Sequence, residues 1–582
     1  MTSQAVGIVA AAARTRRLPR PGRGTLVVLG LAAVLAYLAA YPLAMLILGT
    51  FGVDGEISKG FTLDNFANAY GSGRTFTLFE NSLIYAGGVG LLALTLGTGL
   101  AWIVERTNTP YRRAFFALSI VPIIIPGIVS TIAWIFLLSG RIGLISKAIS
   151  TVFGLSEAPF TIYSMPGMIW AEGLHLSPLV FLLMTAAFQS MDPSLEESAL
   201  MSGASTLHTL RRVTLPVLAP ALASSALIMA IRGLESFEVP RLIGTPADIP
   251  VFTGEIYRAL HGTSADYGEA GALSMTLMVV TLIGIVAYQR LISRSERFAT
   301  ITGKAYRPRQ IDIGRWRYVT FAGLLLYVIL LVGLPFLALV FVSLLPYYAP
   351  DLSLLEKASM ANYTKTIGWY GVQRGVMNSV LLGAIAATLV TMLTAVVAWI
   401  ITKTKLRGRG LLDALAFIPI TIPGMVLGVA LILQYLSPAF RIIPIYGTLW
   451  ILVICYLIRY MPYGMRANSS AMVQLHRELE EAGSAAGGSW LTTFRRVTMP
   501  LLRPALVASW LYIFIVSVRE LGASVLLTNQ DTIVLAVTIF EQYEVGQLGM
   551  VASLSVMLIV SLVVVVAVIQ RVSSRFGVRQ EA

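Results

Sequence analysis

The sequence predicts an all-α polytopic membrane protein of about 12 transmembrane helices, built as two parallel six-helix repeats. Three observations predict it: a composition too apolar for water, twelve apolar stretches of spanning length, and a duplication of the whole pattern. Of 582 residues, 56% are hydrophobic and only 12% are charged, against about 25% charged in a soluble domain. Mean hydropathy is +0.78. No arrangement of soluble domains hides that much apolar surface.

Crossing a hydrocarbon core of about 30 Å takes about 20 mainly apolar residues at about 1.5 Å each. Stretches of that kind run over 25–50, 81–104, 114–139, 163–188, 217–239, 271–290, 318–345, 378–401, 411–436, 446–465, 504–527 and 547–570. The first follows Arg14, Arg16, Arg17, Arg20 and Arg23, as a signal peptide would. It is too long for a signal h-region, so an uncleaved span is expected. With the N-terminus inside, cytoplasmic segments carry 30 Lys and Arg against 10 in the external ones. That bias places both termini in the cytoplasm. It also explains the net charge of +14 without a nucleic-acid partner.

The duplication has two offsets. Asn65, Asn81-Ser82, Ala101-Trp102, Thr107, Pro122, Pro126 and Gly127 recur 297 residues later, at 362, 378–379, 398–399, 404, 419, 423 and 424. Pro178, Leu195-Glu196-Glu197, Gly203, Arg211 to Thr214 and Pro216 recur 284 residues later, ending at Pro500. The 13-residue difference falls in an external loop that is shorter in the second half. The expected organisation is a basic tail at 1–24, a first repeat at 25–290, a cytoplasmic linker at 291–317, a second repeat at 318–570 and a tail at 571–582. Parallel repeats are related by an axis along the membrane normal, so a central path between them follows.

The sharpest match between halves lies outside the membrane. Segments 195–216 and 479–500 are identical at 12 of 22 positions. Each reads as a short helix led by Glu, a glycine turn, a second short helix carrying two arginines, and a proline opening the next span. Two copies of one exposed device suit a two-fold partner. An ordinary interfacial amphipathic helix is the plainer alternative, and the duplication argues against it.

The segment resembles the coupling motif of ABC importer permeases, the membrane components of binding-protein-dependent transport systems. The motif stands as Glu197-Ser-Ala-x3-Gly203 to Leu215-Pro216, and as Glu481-Ala-Gly-x3-Gly487 to Met499-Pro500. Ser198, Gly483, Val213 and Val497 depart from it, and Gly483 weakens helix propensity. The resemblance implies that Glu197, Gly203, Arg211, Arg212 and Pro216, with Glu481, Gly487, Arg495, Arg496 and Pro500, couple the membrane helices to two copies of an ATPase subunit on the cytoplasmic side. This chain has no Gly-x4-Gly-Lys-Ser/Thr loop. Gly303-Lys304 is followed by Ala305 and lacks the leading glycine. ATP is therefore expected on the partner chain, with no catalysis and no bound cofactor here.

Fused permeases of this size are most similar to the ferric-iron branch, with thiamine and 2-aminoethylphosphonate systems as relatives. Residues prompting this are Glu235 to Pro240, Leu242 to Pro246, Arg297 to Lys304 and Arg519 to Ser524. The resemblance implies ferric iron as cargo, a periplasmic or lipid-anchored substrate-binding protein, and the bacterial inner membrane as location. 2-Aminoethylphosphonate, thiamine or another small solute is the alternative.

Charges within spans cost about 2.5–3.5 kcal/mol each on insertion scales, and so tend to face a cavity or a partner. Glu235 and Arg519 each lie 19 residues after the proline of their segment, about 28 Å from the cytoplasmic end. Arg232, Glu235, Glu238, Arg519 and Glu520 are thus candidates for an outer charged ring on the translocation path, open to the binding protein in an outward-open state and closed in an inward-open state by Arg and Glu pairing across the halves. Snorkelling at the external interface, or a structural Arg–Glu pair, is the alternative. Glu172, His175 and Arg459 precede Pro178 and Pro462 by a turn or two, and stabilising a bend is their favoured role, with contact to substrate as the alternative. Pro122, Pro126, Pro419 and Pro423 are expected to kink the third and ninth spans. No metal-ligand spacing is readable, and a single cysteine, Cys455, excludes an internal disulfide. An ion-coupled secondary transporter would also have twelve spans in two halves, but it has no use for a duplicated coupling segment.

Overall fold

The computed structural model describes residues 23–575 apart from 72, 141, 296–309, 441 and 443. The tail through residue 22, the stretch Arg297 to Lys304 and residues 576–582 lie outside the described residues. The first half comprises α1 (Arg23–Thr50), α2 (Thr75–Arg106), α3 (Arg112–Ile120), α4 (Gly127–Leu138), α5 (Met165–Ser190), α6 (Ser194–Met201), α7 (Leu215–Glu235), α8 (Phe252–His261) and α9 (Tyr267–Ser295). The second comprises α10 (Trp316–Val328), α11 (Leu334–Leu344), α12 (Tyr370–Lys403), α13 (Arg409–Phe417), α14 (Gly424–Leu436), α15 (Leu449–Gln474), α16 (Arg477–Ala485), α17 (Met499–Val518), α18 (Leu535–Glu544) and α19 (Leu548–Arg575). One hairpin, Gly52–Val53 with Glu56–Phe61, is the only sheet among the described residues. The protein is a polytopic helical membrane protein.

Among the described residues nine helices are long and apolar enough to cross a membrane, or up to 11 if each sharply bent pair counts once. The tenth sequence stretch, 446–465, folds as α15. Arg459, Arg466 and three tyrosines make it more polar than its companions, because it faces protein rather than lipid: Cys455, Tyr456, Ile458 and Met461 are fully buried.

The prolines do more than kink. Between α3 and α4 a 3-10 turn, Val121–Ile124, leads into Ile125 and Pro126 in extended conformation. The bend there is 101°, and between α13 and α14 it is 108°. Pro122 and Pro126 remove two backbone donors, and a residue before proline is pushed out of the helical region. Two non-helical residues in a row break the rod instead of bending it.

Within each half the second span packs on the fourth and fifth, α2 on α5 and α7, α12 on α15 and α17. Close approach in the first half uses small residues. Gly90 lies against Ala226 and Ala230, and Gly97 against Val180. Gly87 and Gly99 face open space. The first span of each half packs instead against the other half's broken pair, α1 on α13 and α14, α11 on α4. Tyr37 Oη lies 2.9 Å from Tyr435 Oη, and Tyr348 Oη donates to the Phe136 carbonyl at 2.7 Å. The two repeats are therefore interlocked.

Candidate functional site

Both duplicated segments, 195–216 and 479–500, fold as helix, left-handed glycine and helix. α6 ends where Gly203 takes φ +86° and the Ala204 amide reaches back to the Ala199 carbonyl at 3.1 Å. α16 ends alike, with Gly487 at φ +81° and Gly488 donating to the Gly483 carbonyl at 3.1 Å. This left-handed termination satisfies carbonyls that the helix end would orphan, and only glycine adopts it cheaply. Ser205 then caps the following turn by accepting from the His208 amide.

Here the structure corrects the expected role of the prolines. Pro216 and Pro500 stand second in α7 and α17, as expected, but those helices do not start afresh there, because helix is continuous over Thr206–Glu235 and Phe494–Val518. Each proline is absorbed by a π turn just before it, Leu210–Thr214 and Phe494–Thr498. A proline ring clashes with the carbonyl four residues back, and widening the turn relieves the clash.

Glu197 is half-buried, whereas Glu481, Arg211, Arg212, Arg495 and Arg496 are exposed. Apolar side chains stand beside them in water, Met201 at 90% exposure and Leu207 at 56%. Glu196, the neighbour of the motif glutamate, holds the first segment in place. Its side chain is buried, 3.4 Å from Arg106 Nε, and accepts from Thr214 Oγ1 at 2.6 Å. Arg106 also donates to the Phe188 carbonyl at 3.0 Å, so one guanidinium ties the second span, the fourth span and the segment together. Lys403 stands at the matching place in the second half and donates to the Leu475 carbonyl at 2.6 Å. Sequence inspection missed Arg106 and Glu196. The signal was available in the recurrence of a cation at 106 and 403, 297 residues apart.

The five charged residues expected to form a ring, Arg232, Glu235, Glu238, Arg519 and Glu520, all line one cavity of about 190 Å³. Glu172, His175 and Arg459 line it too, although bend stabilisation was the role favoured for them. The cavity lies between the halves. α4, α5 and the end of α7 form one wall, and their counterparts α14, α15 and α17 form the other. Gly127 and Gly424, each the first residue after a broken-span proline, are both on its lining. A side chain at Gly127 would approach Glu238 and His175 at 3.7 Å, and one at Gly424 would collide with the Arg459 guanidinium.

The ion pairs differ from the expected cross-half pairing. Arg232 pairs with Glu235 at 3.6 Å on its own helix, and Arg459 Nε stands 3.9 Å from Glu520 within the second half. Contacts that cross the halves are made by the two other arginine edges. Arg232 donates to Tyr463 Oη at 2.5 Å, and Arg519 donates to the Ile123 carbonyl exposed by the broken helix. Glu520 is unavailable to Arg519 because it is already engaged: it accepts from the Ala523 amide at 2.9 Å, the Ser524 amide at 3.0 Å and the Ser524 hydroxyl. It caps a turn as well as facing the cavity. Among the described residues no group of three or more His, Cys, Asp and Glu side chains could hold a metal ion.

Comparison with known proteins adds the following. Residues 91–297 and 391–578 match the family described as binding-protein-dependent transport system inner membrane component. The ferric transport system permease protein FbpB of Actinobacillus pleuropneumoniae is 29% identical over 547 residues, covering 92% of this chain and 76% of that protein. FbpB 1 of Haemophilus influenzae, also named for ferric transport, is 30% identical over 464 residues, covering 78% of this chain and 71% of that protein. A chain from the crystal structure of a bacterial ABC transporter involved in alginate import aligns with 47% of this chain and 96% of its own length, at 21% identity and a TM-score of 0.39.

Proposed function

The chain belongs to the family of binding-protein-dependent transport system inner membrane components, and from that premise we propose that it is the permease of an ATP-driven ABC importer whose cargo is ferric iron. Transport, not catalysis, is the business of this family. The observation that carries the cargo is the pair of ferric transport relatives that match most of this chain. A charged cavity shared by the two halves supports a path for an ionic solute.

In this reading a periplasmic or lipid-anchored binding protein delivers the ion at the outer face. Two copies of an ATPase subunit dock on the segments around Gly203 and Gly487, and both termini lie in the cytoplasm. Exposed Met201 and Leu207 beside Arg211 and Arg212 supply an apolar anchor with a basic rim, which suits a protein partner. ATP would be bound and hydrolysed wholly on that partner. Arg232, Glu235, Glu238, Arg519 and Glu520 would line the translocation path.

Deleting the gene should impair growth under iron limitation and abolish binding-protein-dependent uptake of radioiron, with recovery in excess iron. A normal iron phenotype together with lost growth on 2-aminoethylphosphonate would transfer the assignment to that solute.

A further inference from the structure

Aligning the two halves at 284 residues sets the cavity walls against each other. Glu172 corresponds to Tyr456, His175 to Arg459, Glu235 to Arg519 and Glu238 to Gly522. Other charges pair within a wall, Arg232 with Glu235 on the first and Arg459 with Glu520 on the second. Outside those pairs the first wall presents the Glu172 and Glu238 carboxylates, and the second presents the Arg519 guanidinium. A duplicated path for a simple cation or a simple anion would carry the same sign on both walls.

The groups retain capacity for a ligand. Arg519 has five N–H donors, and one of them goes to the Ile123 carbonyl. Arg459 reaches Glu520 only at 3.9 Å, and Glu520 is engaged by Ala523 and Ser524. On the opposite wall Glu172 is 7% exposed and forms no ion pair among the described residues. Glu238 accepts one long bond from the Phe237 amide at 3.3 Å. Among the described residues no three His, Cys, Asp and Glu side chains cluster as metal ligands, so the cavity carboxylates do not replace the oxygen shell of a hard trivalent cation. The bare ion would also carry its whole charge through a protein-lined gap, where an unpaired charge is most costly. An accompanying oxyanion lowers both costs and fits planar guanidinium donors.

We propose that the cavity is divided into a cation wall (Glu172 and Glu238) and an oxyanion wall (Arg459 and Arg519), so that iron crosses paired with a small oxyanion such as phosphate or carbonate. This inference rests on the importer reading and on ferric iron as cargo.

The test uses the complete transporter in proteoliposomes: permease, ATPase subunits and a binding protein loaded with radioiron and either radiophosphate or radiocarbonate, with excess unlabelled anion outside. On adding ATP, one of the two anions should enter in near-equal amount with iron. Arg459→Gln and Arg519→Gln should each lower uptake of both labels by about tenfold, the scale of one charge-assisted contact, whereas Arg519→Lys should retain part of it. Iron entering with neither anion, at full rate in the wild type, would overturn the divided-cavity proposal and leave the ferric permease intact. If no radioiron enters with either anion, while the binding protein still stimulates ATP hydrolysis with another solute, the ferric reading itself fails.

Discussion

The two halves agree most closely in their duplicated helix–glycine–helix segments and least where they meet each other. At those segments the backbone repeats down to the left-handed glycine, the reach-back amide and the π turn before the proline. At the cavity the backbone also repeats, with a broken helix and a glycine on each side, yet the side chains diverge in sign. The difference teaches which parts answer to a symmetric partner and which to an asymmetric one. Two identical ATPase subunits would require matching docking devices. A cargo crossing once, along the axis between the halves, imposes no such identity, so its lining is free to specialise.

The most severe way to break the likeness is to remove both turns. Proline cannot adopt positive φ, so Gly203→Pro combined with Gly487→Pro should abolish ATP-driven uptake while insertion into the membrane persists. Each single change should leave measurable transport. Intact uptake in the double variant would refute the docking role.

A second experiment separates the two anchors. Arg106 holds a buried carboxylate, and stranding Glu196 by Arg106→Ala should cost about 3–5 kcal/mol locally. Lys403→Ala removes a bond to a carbonyl and should cost about 1.5–3 kcal/mol. Binding-protein stimulation of ATPase activity should therefore fall further in Arg106→Ala, and Arg106→Lys should restore part of it. Equal losses would show that the first segment has no special anchor.

Within the cavity, Glu520 and Glu235 invite a contrast. Glu520→Gln loses a charged cap with three hydrogen bonds, about 1.5–3 kcal/mol, and should lower the detergent Tm more than Glu235→Gln. Cysteine introduced at Glu235 in a Cys455→Ala background should react with an external water-soluble thiol reagent, at a rate that changes when the transporter is trapped with ATP. A rate indifferent to nucleotide would mean a static interfacial charge.

The smallest contrast concerns the loop anchors. Asn378 donates to the Asp531 and Ile533 carbonyls at 3.0 and 2.9 Å, whereas its counterpart Asn81 donates to the Pro250 carbonyl at 3.2 Å. Asn378→Ala should lower stability by about 1 kcal/mol more than Asn81→Ala, in line with one extra net hydrogen bond. Thermal unfolding of the two purified variants measures it.

Much of the architecture was legible in the chain alone. Spans are local runs whose apolarity is a property of some twenty consecutive residues, and repeats are a comparison of the chain with itself. Both survive without knowing any contact. Gly203 and Gly487 were equally legible, since a left-handed helix end leaves its mark on one residue. Arg232, Glu235, Glu238, Arg519 and Glu520 stood out because charge is rare in apolar stretches, and the structure brings all five to one cavity.

What tertiary structure decided are the relations between distant residues. Glu196 looks like any first-turn acid until Arg106, 90 positions earlier, is packed against it. His175 and Arg459 looked like guardians of a proline bend until the interlocking of the halves turned them toward a shared gap. The prolines announced a weakness in the third and ninth spans, but the size of the bends, 101° and 108°, and the packing of the other half's first span against each broken pair are visible only in the fold. Sequence determines which segments enter the membrane, since lipid tests each segment by itself. Which charges face each other depends on how those segments are packed, because pairing is a property of two surfaces and is written in neither one alone.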